Sequence, residues 1–359
     1  MIFEPRGLAT GIGSMPCDNP GSAWSLIKKY LPDIPHWPQL PLRGRREHFV
    51  NQSLKPLVKT GLLTDDGDKI YFDTTKPDWA DNLTEFYSIY LACEEGDRSA
   101  LNEFALPQDA AAGFHTFLDE MGKETGSYSF LKGQVVGPLT VALQAKDEQG
   151  RFAYYNEQLR DLIVKTLAMH AAWQADELGR FGRPVMIFVD EPALGVVGQS
   201  GYITITREMI KEDLGAIFNA IHETGGLAGL HSCDAIDWSI LFESELEVVS
   251  FDAYNYFRSM VPFSSLLKAF LNRGGALAWG LVPTMNDRAL DEDVHSLLKI
   301  LDGEWSELLE RGVPRDILVR RCLFTPACGT GLLDPAVAER IYKLAALLSE
   351  NFREREGLT

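Results

Sequence analysis

The chain has 359 residues, enough for one large domain or two ordinary ones. Its 45% hydrophobic and 24% charged residues make a globular composition and exclude a disordered or fibrous chain. Asp and Glu number 51 against 34 Lys and Arg, a net charge of −17, so the surface repels phosphate backbones and nucleic acid is not an expected partner.

Short apolar runs recur at 8–14, 34–40, 130–138, 185–192, 227–233, 248–254, 276–283 and 323–329. Each has the length of a strand, and most are apolar throughout, as in a parallel sheet covered on both faces. Helical patterns lie between them. One runs over 151–181 and stops before Pro184. A second, over 207–224, has Thr206 as its N-cap and Gly225-Gly226 beyond its end. A third, over 290–311, is followed by Gly312 and Pro314. The segment 41–129 alternates less cleanly. Residues 61–76 read as a hairpin around Asp66-Gly67, so the region is expected to hold the helix after the second strand plus an inserted hairpin and helices. A small separate N-terminal domain is the alternative. Strand–helix alternation with eight strands predicts an α/β chain forming one (β/α)8 TIM barrel over 1–359, with 41–129 as an insertion; a doubly wound open sheet fits the same periodicity.

The N-terminal residues MIFEPRGLATGIGS hold no apolar run of signal-peptide length, and no stretch of about 18 apolar residues suits a membrane span. The cysteines are Cys17, Cys93, Cys233, Cys322 and Cys328. An odd, sparse set argues against a disulfide framework and for a reduced, cytoplasmic setting, in which a cysteine can act as ligand or nucleophile.

In a barrel the C-terminal strand ends form the active face. Here those ends carry Ser14, Asp190, Glu191, His231, Cys233, Asp252 and Cys328. Residues i and i+2 of a strand point the same way, so His231 and Cys233 share a side. Imidazole and thiolate are the preferred ligands of zinc, and Asp252 and Cys328 end later strands. The expected metal set is therefore His231, Cys233, Cys328 and Asp252. Asp190 and Glu191 are the candidate catalytic carboxylates, one of which need face the mouth. In Gly11-Ile12-Gly13-Ser14 the glycines permit close backbone approach to a ligand, making Ile12, Gly13 and Ser14 candidates for substrate contact. Trp37 ends the second run and is expected to line the pocket. Arg43, Arg45 and Arg46 follow it, and Arg45 is the candidate to bind an acidic substrate group. Cys322, at the start of the last strand, is expected in the core. There is no P-loop, no completed G-x-G-x-x-G and no G-x-S-x-G elbow.

In this order the motifs resemble the C-terminal catalytic barrel of cobalamin-independent methionine synthase. They also resemble the wider superfamily that includes uroporphyrinogen decarboxylase and the methylcobalamin:coenzyme M methyltransferases. TGIGSMP resembles the family's T-x-IGS-F-P, VVGPLT its L-TGP-x-T, and VDEPAL its I-DEPAL. HSC matches the H-x-C zinc pair, VVSFDAY the strand with the acidic ligand, and TPACG the N-P-D-C-G. The similarity covers nearly the whole chain and is poorest at 41–129.

The resemblance implies zinc held by His231, Cys233 and Cys328, with Asp252 at the place of the family's glutamate. It places Ser14 and Asp190 where the family holds the amino-acid part of homocysteine. The activity it implies is a zinc-dependent methyltransferase moving a methyl group onto a zinc-activated thiol, as in methionine biosynthesis, carried by a catalytic core without the family's N-terminal half. A small-molecule thiol is the implied acceptor. The donor is left open between a methyl-corrinoid, presented by a methyl-corrinoid protein partner, and a methyl-folate. Three positions depart from the family: Asp252 stands for Glu, RGRREHF with Arg45 stands nearest to the missing HGE-x-ER-x-DM, and Thr284, Met285 and Asn286 follow the seventh strand where the family has its catalytic histidine. Two other readings remain: a metal-free lyase of uroporphyrinogen-decarboxylase type using the arginine cluster, and a non-catalytic corrinoid- or metal-binding homologue.

Overall fold

The apolar runs of the sequence become a curled parallel sheet. The computed structural model describes residues 3–358 apart from 68, 124, 125 and 127, and the backbone alone of 286 and 287. Its strands are β1 (Leu8–Ala9), β2 (Leu63–Asp65), β3 (Ile70–Phe72), β4 (Leu131–Val136), β5 (Lys146–Asp147), β6 (Val185–Asp190), β7 (Leu227–Ser232), β8 (Val248–Phe251), β9 (Ala276–Val282) and β10 (Cys322–Pro326). Seven of them form the main sheet in the order β1-β10-β9-β8-β7-β6-β4, with every pairing parallel.

The run 34–40 is expected as a strand but forms only isolated bridges, His36 with Lys132 and Ser14 with Gln39. It bridges to β4 on one side and to the segment that follows β1 on the other. Lys132 N–H of β4 donates to the Pro35 carbonyl at 3.0 Å, and on the other side Met15 N–H donates to Gln39 at 2.9 Å, beyond β1. Pro35 and Pro38 lack the N–H groups that a continuous ladder needs, which explains the interruption. The ladder is thus seven-stranded, and the expected eighth strand is reduced to a proline-broken bridge segment.

Strand residues alternate between two apolar layers. Met186, Phe188, Leu227, Val248, Ala276, Ala278 and Leu323 fill the inside of the curl. Ile187, Val189, Leu230, Val249, Phe251, Leu277 and Phe324 face outward against helices. The inward set on β6 continues to Asp190, that on β7 to His231 and that on β8 to Ser250. This alternation turns polar groups toward one end of the curl.

The expected helices form. Glu157–Gly179 is capped by the Asn156 side chain, Arg207–Glu223 by Thr206, and Val294–Glu310 by a reciprocal Asp293/Ser296 box. Within 41–129 the hairpin forms as antiparallel β2 and β3. The two-residue β5 pairs with β3 to make a second, three-stranded sheet. Phe86, Phe104, Phe114 and Phe117 of this region belong to the same outer apolar cluster as the sheet. No helix among the described residues is long and apolar enough to cross a membrane.

Candidate metal centre

His231 lies at the end of β7, where it is paired in register with Asp190 of β6 and Ser250 of β8. Its Nδ1 is 3.0 Å from the Ser250 hydroxyl, which fixes the ring. Its Nε2 is buried without a hydrogen bond of ordinary geometry, and the Cys233 thiol interacts with the ring. A buried polar atom left unmatched costs about 1–3 kcal/mol, so an orphaned imidazole nitrogen marks a place for something else to bind.

Cys233 follows one residue after β7, and Cys328 two residues after β10. Each of His231, Cys233 and Cys328 offers a ligand atom, and all three atoms lie within 4.8 Å of one another. Tetrahedral zinc with bonds of about 2.0–2.3 Å asks for ligand separations of roughly 3–4 Å, within a small side-chain adjustment of this arrangement. Both thiols are half-buried. They share a hydrogen bond that splits their acidities. Cys328 is drawn below its ordinary value chiefly by the bond from Cys233, and also by the Gly329 N–H, while the same contact pushes Cys233 up. The donor set, one oriented imidazole and two thiols, fits zinc.

Asp252 is not brought into this cluster. It caps the helix Ala253–Met260, accepting from the Asn255 backbone N–H at 2.9 Å and the Asn255 side-chain amide at 2.7 Å. The adjacent carboxylates separate. Asp190 keeps Oδ1 buried and unpartnered, and burial pushes its pKa up to about 6 against the pull of Lys132 and His231. Glu191 is fully buried and turned away. One oxygen accepts from Leu139 N–H at 2.8 Å, and the other from Thr140 N–H at 2.9 Å and from the Thr140 hydroxyl. It holds the N-terminus of the helix Pro138–Ala142, and burial pushes it up to about 7.

The remaining expected residues are engaged within the protein. The Ser14 hydroxyl accepts from Gly331 N–H at 3.2 Å, and its carbonyl accepts from Thr330 N–H and hydroxyl at 3.0 and 2.9 Å. The Ile12 carbonyl accepts from Lys132, and a Cβ on Gly13 would run into Gln134, so the close approach those glycines allow is to the protein's own interior. Trp37 is buried, donating to Gln174 at 2.9 Å and packing edge-on to Phe114. Arg45 pairs with Asp65 at 2.7 Å, Arg43 with Glu47 and Arg46 with Asp109, so each guanidinium already faces a carboxylate. Cys322 is in the core, as expected, and Met285 is exposed; the side chain of Asn286 lies outside the described residues.

Two groups at the site escape a sequence reading. Ser250, which orients His231, is one small residue in an apolar run. Lys132 is wholly buried in β4, and its signal is present in retrospect as a lone lysine inside FLKGQVVGP. No protein-family profile matches this chain, and no curated protein sequence matches it.

Proposed function

We propose that this chain is a zinc-dependent methyltransferase that moves a methyl group onto a thiol. In this reading the fold is a TIM-type barrel with 34–40 as its broken eighth stave, and the chemistry is at the C-terminal strand ends. The observation that supports it is the convergence of His231, Cys233 and Cys328 around an unpartnered imidazole nitrogen. His231, Cys233 and Cys328 would hold the metal. Bound zinc supplies a Lewis acid that keeps a thiol deprotonated near neutral pH, and a three-ligand protein set leaves a position for that thiol.

The chain's own groups do the rest. Ser250 holds the imidazole by Nδ1 and so presents Nε2. Ser14 ties the loop after Cys328 to the first strand's extension. Asp190 offers a buried, uncommitted oxygen to an N–H or O–H donor on the acceptor. Ion pairing of Arg43, Arg45 and Arg46 with acids counts against a metal-free lyase built on that cluster.

The test is turnover. Zinc-loaded protein is mixed with a panel of small thiols and either methylcobalamin or a methyl-folate, and methyl thioether is followed by mass spectrometry. Formation of thioether, abolished in Cys328→Ala and much reduced in Asp190→Asn, is expected. Zinc-loaded protein that methylates none of the thiols from either donor would contradict the reading.

A further inference from the structure

Lys132 is the second residue of β4, and none of its surface reaches solvent. Its Nζ donates to the Ile12 carbonyl at 2.6 Å, approaches Gln134 Oε1 at 3.4 Å and sits 4.6 Å above the Phe188 ring. No described carboxylate forms an ion pair with it. Desolvating an ammonium costs several kcal/mol, and an apolar side chain of similar volume is often as stable or more so at such a place. Burial lowers the Lys132 pKa to about 8, and the nearby charge of Asp190 opposes that fall. Packing alone therefore gives no reason for a lysine here.

The contacts of its ammonium lead to the metal ligands. The Ile12 carbonyl belongs to the segment after β1 that ends in the Ser14 bridge. Ser14 in turn accepts from Thr330 and Gly331, the residues that follow Cys328 by two and three positions. The fit is close, since a Cβ on Gly329 would come within 2.2 Å of the Ser14 hydroxyl.

We propose that Lys132 is a positioning residue for the metal-binding thiols: through the Ile12 carbonyl it fixes the Gly11–Ser14 segment, and through Ser14 it fixes the loop bearing Cys328. This rests on reading His231, Cys233 and Cys328 as a metal site. Partners of this kind beyond the ligands typically govern affinity by 10–100-fold.

The test compares the full-length protein with Lys132→Met and with Lys132→Met/Asp190→Asn. The double variant removes both buried charges and so guards against a fold lost through an uncompensated Asp190. Zinc affinity is measured by chelator competition, and thiolate geometry by the visible and charge-transfer bands of the cobalt(II)-substituted protein. Both variants are expected to bind zinc about tenfold more weakly, with altered thiolate-to-cobalt bands at unchanged cobalt stoichiometry. A purely structural role would lower the melting temperature and leave the bands of the folded protein as in the wild type. Wild-type affinity and bands in whichever variant folds overturn the proposal while leaving the metal site intact. Wild-type protein that takes up neither zinc nor cobalt overturns both.

Discussion

His231 has one nitrogen committed to Ser250 and one that is buried without a hydrogen bond of ordinary geometry. That asymmetry makes Ser250→Ala informative: the ring loses its orienting partner, and zinc affinity is expected to fall about tenfold by chelator competition, with little change in fold. His170 supplies a pH signature away from the site. It is buried, its Nδ1 lies 2.9 Å from the Phe104 carbonyl, and burial holds its pKa down to about 4. The unfolded chain binds a proton there below about pH 6.5 and the folded chain does not. Stability from this group is therefore complete above pH 6.5 and is lost as pH falls toward 4, by about 3 kcal/mol in all. Urea unfolding of wild type and His170→Asn should differ by an amount that changes across that window and is flat above it. A constant difference from pH 4 to 8 would remove this account of His170.

The element that most needs its polar partner is the short helix Pro138–Ala142. Its first N–H groups and the Thr140 hydroxyl converge on Glu191. Glu191→Ala leaves those donors buried and unmatched, and a loss of about 3 kcal/mol is expected, smaller for Glu191→Gln. The same variants should keep their zinc, because Glu191 faces the helix and not the thiols; loss of metal from a folded Glu191→Gln protein would place it in the site after all. The bridge segment 34–40 has its own test. A Cβ on Gly113 would lie 1.8 Å from the Pro38 carbonyl, a backbone atom that cannot step aside cheaply. Gly113→Ala should cost about 3 kcal/mol in chemical denaturation, and a neutral result would show that the insertion does not clamp this segment.

Across the whole molecule, the strands were legible from their continuous apolar runs, and the candidate site followed from the period-2 direction of strand side chains. His231 and Cys233 read as neighbours because i and i+2 share a face, and Cys328 because it ends a later strand in the same direction. The failures have physical causes. Two prolines, Pro35 and Pro38, break the ladder at 34–40 while leaving its hydrophobicity intact. Arg43, Arg45 and Arg46 look like a free basic cluster until folding brings Asp65 and Asp109 to two of them and the adjacent turn folds Glu47 back onto the third. Glu191 looks like a twin of Asp190 because the next residue on a strand carries the same chemistry to the opposite side. β5 is two residues long, and its place in the second sheet comes from a distant pairing with β3. Lys132 is a single letter in an apolar run, and its contact with Ile12 spans 120 positions of sequence.

Metal content is the most direct measurement for the central claim. Protein purified reduced, without added metal and again after zinc reconstitution, is analysed by elemental mass spectrometry beside Cys328→Ala. About one zinc per chain is expected, the count of a single tetrahedral site, lost in the variant, with stripping by a chelator lowering the melting temperature of the wild type alone. No zinc in fully reduced, reconstituted wild-type protein would contradict it.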